Sequence, residues 1–244
     1  MDRSDKIVFS IIIPFKTWSK DLDECLSHIE QLSYHHFEII LLPDAETSLP
    51  GAYRHLSVQV VPTGPVNPAI KRDIGAENSK GEFLAFIDDD AYPETNWLDV
   101  AYRVFTSRTE VGAIGGPAVT PEDDPFGARV SGAVFLSRIS GGFPERYLPK
   151  PPGRFVEDWP TVNLFVRKDL FNRIGGFDSE YWPGEDTLFC LKIVEKTGKA
   201  IFYVPDLVVW HHRRAELAKH LRQVGSYGLH RGYFAKVFPR TSRK

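Results

Sequence analysis

Three carboxylates in a row, Asp88, Asp89 and Asp90, close the segment GEFLAFIDDDAYP, residues 81–93. Adjacent acids repel one another and cannot be buried without compensation. A divalent cation with oxygen ligands supplies that compensation; a solvated acidic turn ahead of Pro93 is the plainer alternative. A second acidic and aromatic cluster, FDSEYWPGED, spans residues 177–186 and ends in Glu185-Asp186. Acids here also suit the start of a helix, where the macrodipole favours negative charge. Lys71 and Arg72 follow Asn67-Pro68, a capping residue and a first-turn proline. Free N–H groups at a helix start hold anions such as phosphate. Cations there oppose the macrodipole, so they meet either a phosphate or an ordinary surface salt bridge.

The elements that must carry these residues can be read from periodicity. Residues 83–87 form an unbroken apolar run, the pattern of a strand covered on both faces. Open α/β sheets bind ligands at the carboxyl ends of such strands, which is where the acids stand. Further strands are predicted at 7–13, 37–42, 58–61, 111–116, 161–166, 201–204 and 207–210. Helices are predicted over 21–32, from Asn67-Pro68 to Gly81, over 96–105, 168–174 and 186–196, and at the C-terminus, where Leu217, Leu221, Val224 and Tyr227 recur at helical spacing. Strand–helix alternation up to residue 90 predicts a parallel, doubly wound α/β sheet. Residues 117–160 are rich in Pro and Gly and read as loop, with 126–139 open between strand and helix.

The net charge of −2 conceals an asymmetry. From His211 to Lys244 there are nine Lys or Arg and one acid, Glu216, a balance of +8 that leaves −10 for residues 1–210. An acidic body suits metal binding, and a basic end suits phosphate or an anionic membrane surface. Cys25 and Cys190 lie in apolar helical patterns and read as core. The early apolar run stops at Pro14, too soon for a signal peptide, and no stretch is long enough to span a bilayer, so an intracellular, soluble chain is expected.

Read together, SIIIPFK, LPDAE, NPAIKRDIGAENSKGEFLAFIDDDAYPETNWL, GGFD, GED and VVWHH, in this order from about Ser10 to His212, resemble the inverting family-two glycosyltransferases. The resemblance implies a GT-A fold, a doubly wound and mostly parallel sheet in a single domain. Residues 1–116 would form its nucleotide-sugar half and 117–212 its acceptor half, with 213–244 a basic amphipathic segment. It implies transfer of one hexosyl or deoxyhexosyl unit from a nucleotide-diphosphate sugar, UDP-sugar favoured, with Mn²⁺ or Mg²⁺. The acceptor would be a saccharide or a lipid-linked one, in cell-surface glycan or glycolipid assembly at the inner face of the membrane, with no nucleic-acid partner. Carried over by motif, Asp88 and Asp89 bind the donor. Asp88, Asp90 and His211 (His212 being the alternative) bind the metal. Pro14, Phe15 and Asp44 pocket the base, Lys71 and Arg72 lie near the donor, Asp186 is the catalytic base and Glu185 orients the acceptor. Two departures stand out: a Pro43-Asp44 pair where two acids are usual, and Lys71-Arg72-Asp73 for the usual Ala-Arg-Asn. Gln223 is followed by Val-Gly-Ser-Tyr, so the QxxRW motif of processive synthases is absent. The alternatives are a non-catalytic nucleotide-sugar binding domain and, disfavoured by the lack of a Gly-rich loop near the N-terminus, a nucleotidyltransferase.

Overall fold

The computed structural model describes residues 6–137, 143–177 and 179–238. Four strands, β1 (Phe9–Pro14), β2 (Phe37–Leu42), β3 (Val58–Val60) and β4 (Phe83–Ile87), pair in parallel in the order β3-β2-β1-β4. Their unbroken apolar runs follow from burial on both faces. Ile11, Ile13, Ile39, Leu41, Ala85 and Ile87 point into one core layer. Ile12, Ile40, Leu42, Leu84 and Phe86 point into the other. The first layer is covered by α1 (Lys20–Glu30), which buries Leu22, Cys25, Leu26 and Ile29, and by α3 (Trp97–Ser107). The second is covered by α2 (Pro68–Asn78), α5 (Lys168–Ile174) and α6 (Glu185–Thr197). Ser19 caps α1 through the Leu22 N–H at 3.0 Å, and Asn67 caps α2 through the Ile70 N–H at 3.1 Å.

The second half departs from the expected parallel pattern. Strand β9 (Asn163–Arg167) inserts between β4 and β6 (Val111–Gly115) and runs antiparallel to both. Beyond β6 lie β10 (Ala200–Tyr203), parallel to it, and β8 (Arg154–Val156), antiparallel at the edge. The eight-stranded sheet is therefore mixed. Its reversal is the switch point, and it brings the start of β9 to the edge where β1, β2 and β4 end.

The strand expected at 207–210 starts two residues later and ends one later, as β11 (Val209–His211), and stands outside the main sheet. It lies between β5 (Ala91–Pro93), antiparallel, and β7 (Ala118–Val119), parallel, in a separate three-stranded sheet. The stretch left open at 126–139 is helix α4 (Phe126–Leu136); Ile139 lies outside the described residues. Helix α7 (Leu217–Val237) forms as expected; Leu221, Val224 and Tyr227 are exposed on it, whereas His220 and Phe234 are buried. Among the described residues no helix is long and apolar enough to cross a membrane.

Candidate functional site

Because β1, β2 and β4 are parallel, the residues just past Pro14, Leu42 and Ile87 share one edge of the sheet. Phe15, Asp44 and the Asp88–Asp90 turn all stand there. The small second sheet adds the fourth part. β11 pairs His211 opposite Ala91, and the His212 N–H donates to the Asp90 carbonyl at 3.0 Å. A residue 121 positions further along the chain is thereby fixed beside the acids.

Ligand atoms of Asp88, Asp90 and His211 all lie within 4.8 Å of one another. His211 Nε2 is 3.2 Å from Asp90 Oδ1, while its buried Nδ1 has no hydrogen-bond partner. Burial alone would raise the Asp90 carboxyl; His211, by charge and hydrogen bond, outweighs it and holds the group below the ordinary range. Asp89 is pushed the other way, up to about 7, by burial with the charges of Asp90 and Asp88 adding. Two carboxylates and one imidazole form a donor set that fits Mn²⁺ or Mg²⁺. His212 is committed elsewhere: Nδ1 meets Asp124 at 2.5 Å and Nε2 meets Glu24 at 2.9 Å, tying the loop before α4 to α1. Those two hydrogen bonds raise its pKa against the opposing effect of burial.

Lys71 and Arg72 are 3% and 4% exposed, which excludes an ordinary surface salt bridge. Lys71 Nζ donates to the Phe15 carbonyl (2.5 Å), the Leu42 carbonyl (3.0 Å) and Asp44 Oδ1 (2.5 Å), closing the space between the ends of β1 and β2. The Phe15 side chain itself is buried in the core beside Trp18. Arg72 forks between the two halves, Nη2 to Asp88 Oδ1 at 2.7 Å and Nη1 to Glu185 Oε1 at 3.0 Å. Asp73 accepts from the Phe177 N–H at 3.0 Å and fixes the GGFD loop, whose Asp178 lies outside the described residues.

Glu185 and Asp186 open α6. Glu185 is buried and also accepts from the Gly184 N–H at 2.9 Å. Asp186 is half-buried, and its carboxyl is pushed up to about 7 by burial, with the nearby carboxylates Glu185 and Asp158 adding.

Two supporting residues had no signal in the sequence. Asp158 pairs with Arg146 and accepts from Thr187 Oγ1 at 3.1 Å, steadying the first turn of α6. Asn163, fully buried, accepts from Trp97 Nε1 at 3.0 Å and donates to the Leu207 carbonyl at 2.7 Å, holding the approach to β11 under the sheet edge. Only the Asn type inside an apolar run could have marked it. A depression of about 640 Å³ touches none of this. It lies at the other end of the strands, by Gly81, Arg167 and Lys199.

An α/β sheet with its acids gathered at the strand ends, completed by a histidine from a second small sheet, is the GT-A fold. The chain belongs to glycosyl transferase family 2, which matches residues 10–172. It is 26% identical over 161 residues to the pre-mycofactocin glycosyltransferase of Mycobacterium tuberculosis, covering 66% of this chain and 33% of that protein. The chain thus spans about a third of that relative's length. It is 21% identical over 245 residues to a dolichyl N-acetyl-alpha-D-glucosaminyl phosphate diacetamido-dideoxy-glucuronosyltransferase of Methanococcus voltae, covering 92% of this chain and 75% of that one. Among solved structures, a mannosyltransferase from Pyrobaculum calidifontis in complex with GDP-Man and Mn²⁺ superposes with a TM-score of 0.62 at 19% identity, over 93% of this chain and 66% of that one.

Proposed function

We propose that this domain transfers a single sugar from a nucleotide-diphosphate sugar to an acceptor hydroxyl, with inversion. The observation that carries this reading is the Arg72 fork. It puts the candidate metal carboxylate Asp88 and the acids that open α6 on one side of the molecule. The donor diphosphate faces Asp88, Asp90 and His211, and the base and ribose lie over the backbone at Pro14 and Phe15 and beside Asp44 and Asp89, the Phe15 side chain itself being buried in the core. The Asp44 carboxylate is available to a ring N–H of the base, and a UDP-sugar is the donor we favour. A divalent ion bound at the three ligands would supply Lewis-acid stabilisation of the leaving diphosphate.

Asp186 then serves as general base. The acceptor oxygen bonds to the anomeric carbon as the bond to the diphosphate breaks and takes its electron pair with the leaving group. The hydroxyl proton passes to the Asp186 carboxylate. One displacement with no covalent intermediate inverts the anomeric centre. Glu185, held by Arg72, keeps the turn that carries Asp186 in place and orients the acceptor. The acceptor is a saccharide or a lipid-linked one; the Methanococcus relative, named for a dolichyl-phosphate acceptor, supports the second. We place the reaction in the cytoplasm at the inner membrane face, with the segment 213–244 in peripheral contact.

Release of nucleoside diphosphate in the presence of Mn²⁺ and acceptor tests the reading. Asp186→Asn should lower turnover by about 10²–10⁴-fold while donor binding persists. Unchanged turnover in that variant would overturn it.

A further inference from the structure

Lys71 sits in the first turn of α2, where a cation opposes the macrodipole and needs acceptors of its own. It finds them inside the protein. An ammonium carries three protons and no lone pair. Lys71 Nζ spends all three, on the Phe15 carbonyl, the Leu42 carbonyl and Asp44 Oδ1. Buried and with every proton taken, it has none left for a phosphate.

Asp44 is the opposite case. Its side chain keeps 25% exposure at the edge where β1 and β2 end. The backbone beneath it is held from two sides. The Asp44 N–H donates to the Lys16 carbonyl at 3.2 Å. The Pro43 carbonyl accepts from the Thr63 N–H at 2.9 Å and from Thr63 Oγ1 at 3.0 Å. What such a backbone leaves loose is the last torsion of the side chain, which in aspartate is broad and two-fold. The bond from Lys71 to Oδ1 removes that freedom. Among the described residues Oδ2 accepts no hydrogen bond, so one oxygen is anchored and the other is offered to the open side.

We propose that Lys71 is a positioning residue for base recognition: it touches no part of the donor, and it grips Asp44 by Oδ1 so that Oδ2 meets an N–H of the nucleobase. Resting on the nucleotide-sugar reading above, this gives Lys71 a role exercised wholly through Asp44. A bond from a base N–H to an ionised carboxylate is of the stronger kind. A carboxylate ordered in advance spares binding the cost of fixing it.

Calorimetric titration in Mn²⁺ tests this with two probes. One is whichever of UDP and GDP binds the parent chain more tightly; the other is pyrophosphate, which has the anionic part and no base. Lys71→Met should weaken the nucleotide by about two- to tenfold, the factor that ordering one side chain represents, and leave pyrophosphate within about twofold. Asp44→Asn should weaken the nucleotide at least as much. Lys71→Met/Asp44→Asn should bind it no more weakly than Asp44→Asn alone, since both changes act through one carboxylate. Asp44→Glu keeps the charge, displaces it by one methylene and leaves Lys71 in place. It should weaken the nucleotide and not pyrophosphate, which tests the same point if Lys71→Met does not fold. Equal losses for both probes overturn the proposal, because Lys71 then acts on the diphosphate or on the fold at large. Additive losses in the double variant overturn it, as does an Asp44→Glu chain that binds the nucleotide like the parent. A parent chain that binds pyrophosphate as tightly as either nucleotide has no base site, which ends this role alone. A parent chain that binds none of the three sinks the nucleotide-sugar reading and this role with it.

Discussion

Replacing Arg72 by Leu removes the counter-charge that joins the two halves of the site. Arg72 is 4% exposed and Glu185 is equally buried, so neither charge can fall back on water. Without Arg72, Glu185 keeps, among the described residues, the Gly184 N–H as its hydrogen-bond donor. Breaking a buried pair by removing one member costs about 3–5 kcal/mol, because the survivor is left charged and desolvated. Asp88 is 30% exposed and contributes less to that cost. For a domain of this size, about 2–4 °C of melting temperature is lost per kcal/mol, so Arg72→Leu should melt about 6–20 °C lower. The double variant Arg72→Leu/Glu185→Leu removes both charges and should recover most of the loss, with a coupling of about 2–3 kcal/mol in the cycle. Saturating Mn²⁺ should raise the melting temperature of Arg72→Leu more than that of the parent chain, since a cation at Asp88 replaces the missing positive charge. Thermal and urea unfolding of the four proteins of the cycle provide the measurement. If the two single effects simply add, or if Arg72→Leu melts within a degree or so of the parent, the buried fork does not carry the energy assigned to it.

Three further expectations follow from single observations. With the Asp186 carboxyl pushed up to about 7 and the base needed ionised, turnover should rise with pH and level off above about 7. Asp158→Asn removes a neighbouring negative charge and should move that acid limb to lower pH; an unmoved limb in the pH–rate profile refutes the assignment. His211→Ala should weaken Mn²⁺ binding, read by titration calorimetry or electron paramagnetic resonance, by about tenfold or more. His212→Ala should leave Mn²⁺ binding alone and lower stability instead, because His212 ties Glu24 to Asp124; the reverse pattern would exchange the two roles. Gly115→Ala would place a Cβ 2.0 Å from Trp159 Cδ1, so it should destabilise by about 1–3 kcal/mol in urea unfolding.

What could be read from the chain beforehand was set by how local each signal was. Strands β1, β2 and β4 were plain because burial on both faces demands apolar residues without a break, and each run ends at Pro14, Pro43 or Asp88. Strands β5, β7 and β8 are two or three residues long and built from AYP, AV and RFV, too short to show a period. The direction of β9 was not legible, since a buried strand looks alike run either way. Which way α7 turns its apolar residues was not legible for a related reason. Apolar residues at helical spacing say that one face is special, not whether it meets the core or something outside the chain. The contact between Arg72 and Glu185 spans 113 positions, and only the folded chain reveals it.

The Lys71-Arg72-Asp73 triplet, which departs from the Ala-Arg-Asn expected by resemblance, has a physical account in this structure. Successive side chains on a helix point about 100° apart, so three in a row fan out to three different neighbours. Lys71 reaches the carbonyls of Phe15 and Leu42 and the Asp44 carboxylate, where an alanine would leave Asp44 without its counter-charge. Asp73 reaches the Phe177 N–H, a donor that a carboxylate accepts from as well as an asparagine oxygen does. The added cation and the added anion balance within one turn, so the substitution pair changes the local net charge by nothing. A single turn of α2 therefore holds the loops after β1 and β2, the acidic turn after β4 and the loop that leads to α6 in register. On this account the departure from the family pattern is a second way of building the same brace rather than a sign of a different site.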